Sequence, residues 1–569
     1  MATTTDDAGS ALNAETTPSQ PKRLGELVFE QGIVNAAELD FVLQKQAVEE
    51  VRLGNLLVSL GLATQKDVAR LLAYQRGHSA EYLDRDVFPE PDPGVAKPFN
   101  QTICLTHGFL PLQREEGALT VMLGDGDPEG VARLVRRRTG WEPRFLQGEF
   151  ARVAQAIRQH FFFAENPPEK VIGREIRQLE RDVDRVYSPE NLLGYILTLA
   201  VRERATDIHL TASPGSRHVL FRIDGVLRPM FAISEVGDRV TSYVKLCSEM
   251  DIAEQRLPQD GSFSRVILDQ PYTIRVSTII AEYGERMVMR LLPERNNLDK
   301  LSDLGVIAED VAELKRLFSR PQGMILLTGP TGSGKSTTLH AALRMQQVIE
   351  RNVLTVEDPV EYRVPAVGQT EVNPRAGYDF SNALRHFLRH DPDIILLGEI
   401  RDAATAQAAT DASSTGHLVL STLHVGSIFG VVPRLKLLGV NVETIAENLM
   451  GVINQRLVRR NCPLCVQPTS PSEAEREWLG LSAGDTVYQG VGCERCRHTG
   501  YLGRMPVYEM LLPDQRIADA IALDASRGEL RALCEEAGMR TIVESGRQRV
   551  LDGETSVEEL QRTIGEGVA

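Results

Sequence analysis

Met324-Ile325-Leu326-Leu327-Thr328-Gly329-Pro330-Thr331-Gly332-Ser333-Gly334-Lys335-Ser336-Thr337 decides the fold of the larger part of this chain. An apolar run of strand length feeds a glycine-rich turn, and a helix pattern starts at Lys335. The spacing GxxxxGK[ST] lets backbone N–H groups converge on phosphate oxygens at a helix N-terminus. Lys335 then reaches the β and γ phosphates, and the Ser336 hydroxyl is a ligand for Mg2+. Gly329 through Thr337 are the expected ATP and Mg2+ contacts.

Working outward, the runs 353–356, 394–397 and 418–421 alternate with helical patterns, which predicts a parallel sheet with helices on both faces. Two of these runs end in carboxylates, Glu357 and Glu399. Such acids hold the metal's water shell and orient the attacking water. His417 and His424 bracket the last run. An imidazole donates readily to a γ-phosphate oxygen, so both are candidates, although a histidine in this setting also serves as ordinary structure. Before the glycine-rich turn, residues 191–292 read as a helix followed by strands, among them 219–222 and 272–278. Beyond about Pro506 the chain reads as helices.

Cys462-Pro463-Leu464-Cys465 and Cys493-Glu494-Arg495-Cys496 supply four thiolates for a tetrahedral Zn2+ that would hold a small subdomain together. Tight CxxC pairs point to a metal in a reducing compartment rather than to disulfides. Cys104, Cys247 and Cys534 are scattered and read as buried structural residues.

The chain's 569 residues predict several domains. A formal net charge of −15 excludes a protein that coats nucleic acid. Its 42% hydrophobic and 25% charged residues suit folded domains. No apolar run approaches the roughly 18 residues of a membrane span, and residues 1–22 lack the apolar centre of a signal peptide. Residues 1–21 read as a disordered tail. After it comes a tandem repeat: Arg23-Leu24-Gly25 recurs as Arg52-Leu53-Gly54, with Gly32 matching Gly61, Leu43 matching Leu72 and Gln46 matching Gln75. Each unit reads as a short helix, a glycine break and a longer amphipathic helix. Pro89, Pro91, Pro93 and Pro98 mark a linker. Mixed strand and helix patterns fill 101–163, including the alternating run 118–123; a junction at 165–169 and a charged helix follow.

Further strings appear in order: Ala205-Thr206-Asp207-Ile208-His209, Phe221-Arg222-Ile223-Asp224-Gly225, Arg256-Leu257-Pro258-Gln259-Asp260-Gly261, Arg275-Val276-Ser277-Thr278, Glu357-Asp358-Pro359-Val360-Glu361, Gly398-Glu399-Ile400-Arg401-Asp402 and Thr499-Gly500-Tyr501-Leu502-Gly503-Arg504. Together they resemble the type II secretion and type IV pilus assembly ATPases, the GspE/PilB group of the secretion ATPases, over residues 185–515. The N-terminal repeat resembles the MshEN domain, a cyclic di-GMP receptor.

The resemblance implies a multidomain α/β protein with a RecA-like P-loop ATPase core, a PAS-like α+β domain before it and an MshEN-like N-terminal region. Its expected boundaries are 22–163 for the N-terminal domain (repeat 23–75, α/β part 101–163), 164–190 for a helical linker and 191–298 for the PAS-like domain. The ATPase domain would cover 299–569, with a metal subdomain at 456–505. It implies a cytoplasmic homohexamer at the inner-membrane platform proteins, peripheral to the membrane, without direct nucleic-acid contact, that hydrolyses ATP to assemble a pilus or pseudopilus. By motif, Lys335 and Ser336 take the phosphate and metal roles, Glu399 is the metal-side acid and Glu357 the water activator. Arg275 and Arg290 would complete the nucleotide site; Arg385, Arg389 and Arg401 match further family arginines. Arg23, Leu24, Gly25, Gln46, Arg52, Leu53, Gly54 and Gln75 are the implied cyclic di-GMP contacts. The alternatives are a pilus retraction ATPase and a cyclic di-GMP sensor with weak ATPase activity. The chain departs from the family at Val425-Gly426-Ser427 and at Leu210-Thr211-Ala212.

Overall fold

The N-terminal repeat folds as two helical hairpins, α1 (Leu24–Glu30) with α2 (Ala36–Glu49) and α3 (Leu53–Ser59) with α4 (Gln65–Gln75). Gly32 and Gly61, with φ of 63° and 74°, take the left-handed turn at each expected break. Reciprocal side-chain and backbone bonds cap the long helices, from Asn35 and Glu38 before α2 and from Thr64 and Asp67 before α4. Leu27, Val28, Val42, Leu56, Leu57 and Val68 form their common core. In the computed structural model this repeat belongs to one of two compact units, Met1–Ile157, the other being Arg158–Ala569. Residues 22–49, 51–76, 80–82, 90–92, 94–115, 117–182, 186–234, 236–294, 300–346 and 350–565 are described. The expected tail 1–21 and the prolines Pro89 and Pro93 lie outside them. The first unit also holds a four-stranded sheet of β1 (Ala80–Tyr82), β2 (Phe109–Glu115), β3 (Ala118–Leu123) and β4 (Glu142–Gln147), in the order β1-β4-β3-β2.

In the second unit the apolar helix Glu190–Arg202 packs on a six-stranded sheet. Its strands are β5 (Ala205–Ser213), β6 (Ser216–Ile223), β7 (Val226–Ser234), β8 (Gln259–Ile267), β9 (Gln270–Ala281) and β10 (Gly284–Pro293). They are antiparallel throughout, in the order β7-β6-β5-β10-β9-β8.

The run 324–327 lies in β11 (Gly323–Thr328), buried along its whole length, as a strand covered on both faces must be. β12 (Val353–Glu357), β13 (Gly368–Glu371), β14 (Ile394–Leu397), β15 (Leu418–Leu423) and β16 (Leu449–Asn461) join it in parallel, giving the order β13-β12-β14-β15-β11-β16. Alternate residues feed two cores. Met324, Leu326, Ile395 and Leu397 pack under the helices Phe380–Phe387 and Ala403–Ser414. Ile325, Leu327, Ile394 and Leu396 pack with Ala308–Phe318 and the P-loop helix Lys335–Arg344. Burying one such Leu or Ile side chain is worth roughly 1.5–3 kcal/mol.

The expected helical segment beyond Pro506 needs correction. Between the cysteine pairs lies a ribbon of β17 (Val466–Thr469) and β18 (Val487–Gly490), and then β19 (Tyr501–Leu511) pairs antiparallel with β16. The sheet is therefore mixed, and the strand passes through Pro506 to Leu511. Proline breaks most strands by removing a donor, but β19 is the sheet's edge, where the ladder tolerates that loss. Helices begin only at Gln515. Among the described residues no helix is long and apolar enough to cross a membrane.

Candidate functional site

Parallel pairing gathers the predicted acids at one edge of the sheet. Thr328 is level with Leu423, Leu397 with Ser421 and Val356 with Leu397. The P-loop, His424, Glu399 and Glu357 thus follow the C-terminal ends of β11, β15, β14 and β12, where ligands bind in open α/β sheets.

The loop is shaped for phosphate. Gly329, Gly332 and Gly334 have φ of 137°, 78° and 86°, a left-handed course that turns backbone N–H groups inward. A Cβ on Gly329 would meet Gln455 O at 2.4 Å, so the position admits only glycine. Ser333 Oγ is buried with no hydrogen-bond partner among the described residues, a polar atom left for a phosphate oxygen. Lys335 Nζ donates to Gly329 O (3.0 Å) and Pro330 O (3.1 Å) across the loop. Burial lowers its pKa below the ordinary lysine value, and Glu399 opposes that shift. Donor set and shape fit a nucleotide triphosphate with Mg2+, which Ser336 and, through water, Glu399 would hold.

Glu399 is flanked by His424 Nε2 at 3.2 Å from Oε2 and is ion-paired with Arg401, which also stands 3.9 Å from Asp358. Glu357 is buried. Its Oε1 accepts from Thr355 Oγ1 (2.8 Å) and Gln369 Nε2 (3.0 Å), and Oε2 lies 3.0 Å from His340 Nε2. Burial would lower the pKa of His340, but Glu357 and the Ser336 carbonyl bring it above the ordinary imidazole value.

The two candidate histidines part company. His424 lies at the C-terminal end of β15 beside Glu399, whereas His417 precedes its first residue. His417 Nδ1 is 3.0 Å from Ala412 O at the end of a helix. A six-residue strand at about 3.3 Å per residue separates the two by about 20 Å, so His417 does not reach the phosphate site of its own chain. Arg275 and Arg290 are Cα partners on β9 and β10, and Arg290 Nε bonds Asp207 Oδ1 at 2.9 Å. Among the described residues neither bonds the P-loop. Arg389 bonds His386 and the Arg385 carbonyl, away from Glu399.

Sequence reasoning missed the clamp behind the loop. Gln455 Nε2 donates to Ser333 O (2.7 Å) and its Oε1 accepts from Thr338 Oγ1 (2.9 Å), pinning both ends of the turn to β16. Asn454 and Gln455 interrupt an apolar strand pattern, and that interruption was the available signal. His340, Thr355 and Gln369 had no such mark.

The four cysteines come together. Sγ separations are 3.8 Å for Cys462–Cys493, 3.8 Å for Cys465–Cys496 and 3.7 Å for Cys493–Cys496. Four sulfurs about 2.3 Å from a tetrahedral Zn2+ stand roughly 3.8 Å apart, so the cage fits zinc. The N–H groups of Cys493 and Gly500 point at Cys496 Sγ (3.2 and 3.3 Å). Burial opposes ionisation of that thiol, yet these bonds bring its pKa below the ordinary value.

In the N-terminal unit the repeat has an internal two-fold logic. Gln46 Nε2 donates to Val51 O, just before Arg52, and Gln75 Nε2 donates to Lys22 O, just before Arg23. A Cβ on Gly25 would touch Leu53 at 3.4 Å, and one on Gly54 would meet Val68 at 2.9 Å and Leu24 at 3.5 Å, so the Leu-Gly pairs lie where the repeats pack. Arg52 bonds Asp125 O and Oδ2 (2.8 and 2.9 Å), and Arg23 is exposed.

A phosphate-shaped loop beside two carboxylate-ended strands defines a P-loop ATP hydrolase. The chain belongs to the Type II/IV secretion system protein family, whose model matches residues 185–562. It is 37% identical over 536 residues, 90% of its length, to the type IV pilus assembly ATPase PilB of Thermus thermophilus, and it spans 59% of that relative. To the type II secretion system protein E of Dickeya dadantii it is 43% identical over 378 residues, 66% of this chain and 75% of that one. The ATPase DotB of Legionella pneumophila shares the fold, with a TM-score of 0.50 and 22% identity over 66% of this chain and 95% of that one.

Proposed function

We propose that the chain is a homohexameric motor that hydrolyses ATP to drive assembly of a type IV pilus or type II secretion pseudopilus, from the cytoplasmic face of the inner membrane and through platform proteins there. The observation that carries this reading is the convergence of Lys335, Ser336, Glu399 and Glu357 at one sheet edge of a secretion-family chain. Lys335 and the loop N–H groups bind the β and γ phosphates, and Glu357 orients the water that attacks the γ-phosphorus in line; Ser336 and, through water, Glu399 would hold Mg2+, which would offset charge on the phosphate oxygens. Arg275 and Arg290, free of this chain's P-loop, are suited to a neighbouring subunit's nucleotide. The domain boundaries expected from the sequence are part of the same reading.

Steady-state ATP hydrolysis by the full chain, with its oligomeric state followed by light scattering, tests it. Turnover that rises as hexamers form supports the motor. No turnover in a confirmed hexamer at saturating ATP and Mg2+ removes it in favour of a nucleotide-binding sensor.

A second reading concerns regulation. The reciprocal Gln46 and Gln75 bonds tie the end of each repeat to the backbone just before the other repeat's arginine, Arg52 or Arg23, a pseudo-two-fold pattern that suits a two-fold dinucleotide such as cyclic di-GMP. Calorimetry of the full chain with cyclic di-GMP, wild type against Arg23→Ala with Arg52→Ala, decides it; absence of binding heat in the wild type ends that assignment.

A further inference from the structure

His340 lies one helical turn after Ser336 on the P-loop helix, with its side chain only 1% exposed. Its two ring nitrogens face two oxygens. Nδ1 is 2.7 Å from the Ser336 carbonyl, which can only accept, so Nδ1 carries a proton and donates. Nε2 is 3.0 Å from Glu357 Oε2, an ion-pair contact that lies outside hydrogen-bond geometry. The other carboxylate oxygen is already held by Thr355 and Gln369. Gln369 is anchored in turn on the Tyr362 carbonyl at 2.8 Å, and the Tyr362 ring stands 5.2 Å from the imidazole between centroids. Among the described residues, His340 is the one basic side chain within ion-pair distance of Glu357. A carboxylate this deeply buried needs such partners to keep one orientation.

We infer that His340 is a positioning residue: its imidazole ties the Glu357 carboxylate to the segment that carries Ser336, setting the spacing between the water-side acid and the metal-side hydroxyl. The inference rests on the proposed role of Glu357 with the attacking water. The phosphates are bound by the loop N–H groups and Lys335, none of which bonds His340. Loss of the imidazole therefore reaches the chemical step and leaves ATP binding alone. A simple space-filling role would not depend on which ring nitrogen a replacement imitates. Gln places its amide where Nε2 stood, within reach of Glu357, and Asn places it where Nδ1 stood, toward Ser336.

The test is steady-state ATP hydrolysis and nucleotide binding by the full chain, comparing wild type with His340→Phe, His340→Asn, His340→Gln, Glu357→Gln and the double variant His340→Asn with Glu357→Gln. The expected result is a kcat lowered about 10- to 100-fold in His340→Phe and His340→Asn with KM within about twofold, because a misplaced catalytic group costs rate rather than affinity. His340→Gln keeps at least about a third of wild-type kcat, and His340→Asn adds nothing once Glu357 is Gln. Equal losses in the Asn and Gln variants, a loss carried by KM, or additive losses in the double variant overturn the inference while leaving the role of Glu357 standing. Wild-type turnover in Glu357→Gln overturns that role itself, and the inference with it. Should His340→Phe fail to fold, the Asn and Gln pair still decides.

Discussion

His424 Nε2 stands 3.2 Å from Glu399 Oε2, across the ends of the neighbouring strands β15 and β14. The imidazole therefore steadies the Glu399 carboxylate, the acid proposed for the metal side, rather than facing solvent alone. Glu399→Gln should lower kcat about 10- to 100-fold and raise the Mg2+ concentration needed for half-maximal turnover, as removal of a metal's outer support does. His424→Ala should cost less and shift the Mg2+ midpoint in the same direction. Unchanged Mg2+ titrations in both variants would detach this pair from the metal.

Arg275 has no hydrogen bond to the P-loop of its own chain among the described residues, while its Cα partner Arg290 donates through Nε to Asp207. If Arg275 completes a neighbouring subunit's site, Arg275→Ala lowers turnover by about 10³-fold or more, the scale of a transition-state arginine, with an unchanged melting temperature. Mixing it with excess Lys335→Ala chains should restore part of the activity, since each chain lacks a different half. Wild-type turnover in Arg275→Ala ends the assignment.

The four-sulfur cage should carry one zinc per chain, measured by atomic emission on the purified protein. Because the ribbon β17–β18 has little core of its own, chelation or Cys496→Ser should open residues 456–505 to protease while ATP binding persists. A metal-free protein of undiminished protease resistance would refute a structural metal there.

Glu559 is fully buried, accepting from Arg459 Nε and Nη2 (2.9 and 2.7 Å), from the Arg459 backbone (2.9 Å) and from Arg562 Nε and Nη2 (2.7 and 2.6 Å). Burial would raise its pKa, but the guanidinium groups bring it below the usual glutamate value. A depressed folded-state pKa contributes stability that is complete above the unfolded value near 4.5 and is lost as pH falls through the folded value. Glu559→Gln should cost about 3 kcal/mol at neutral pH, since it leaves two arginines short of a buried partner. Denaturant melts from pH 7 to pH 3 should show the wild-type advantage shrinking; a constant difference would contradict it.

Much of the site was legible before any coordinates. Local strings carried the P-loop, both acids and the cysteine pairs, because each works through backbone conformation or fixed spacing within a few residues. His417 and His424 could not be separated that way: both flank one strand, and only parallel pairing tells which end faces the phosphates. Gln455 acts on Ser333 and Thr338 from more than a hundred residues away and Gln369 acts on Glu357 from 12, and an amide in a strand announces no partner. Pro506 misled because edge position, which makes it tolerable, is a property of the sheet.

The sequence by itself determined the alternation of strands and helices around the P-loop, the glycine turn that only φ above zero permits, and the four thiols that suit one metal. Those outcomes depend on neighbours along the chain. Tertiary structure alone decided that Glu357, Glu399 and His424 share one edge, that β19 closes the sheet through a proline, and that a buried imidazole joins Ser336 to Glu357. Such relationships come from strand register and helix packing, in which residues far apart along the chain meet because burying their apolar faces leaves no other arrangement for the polar groups between them.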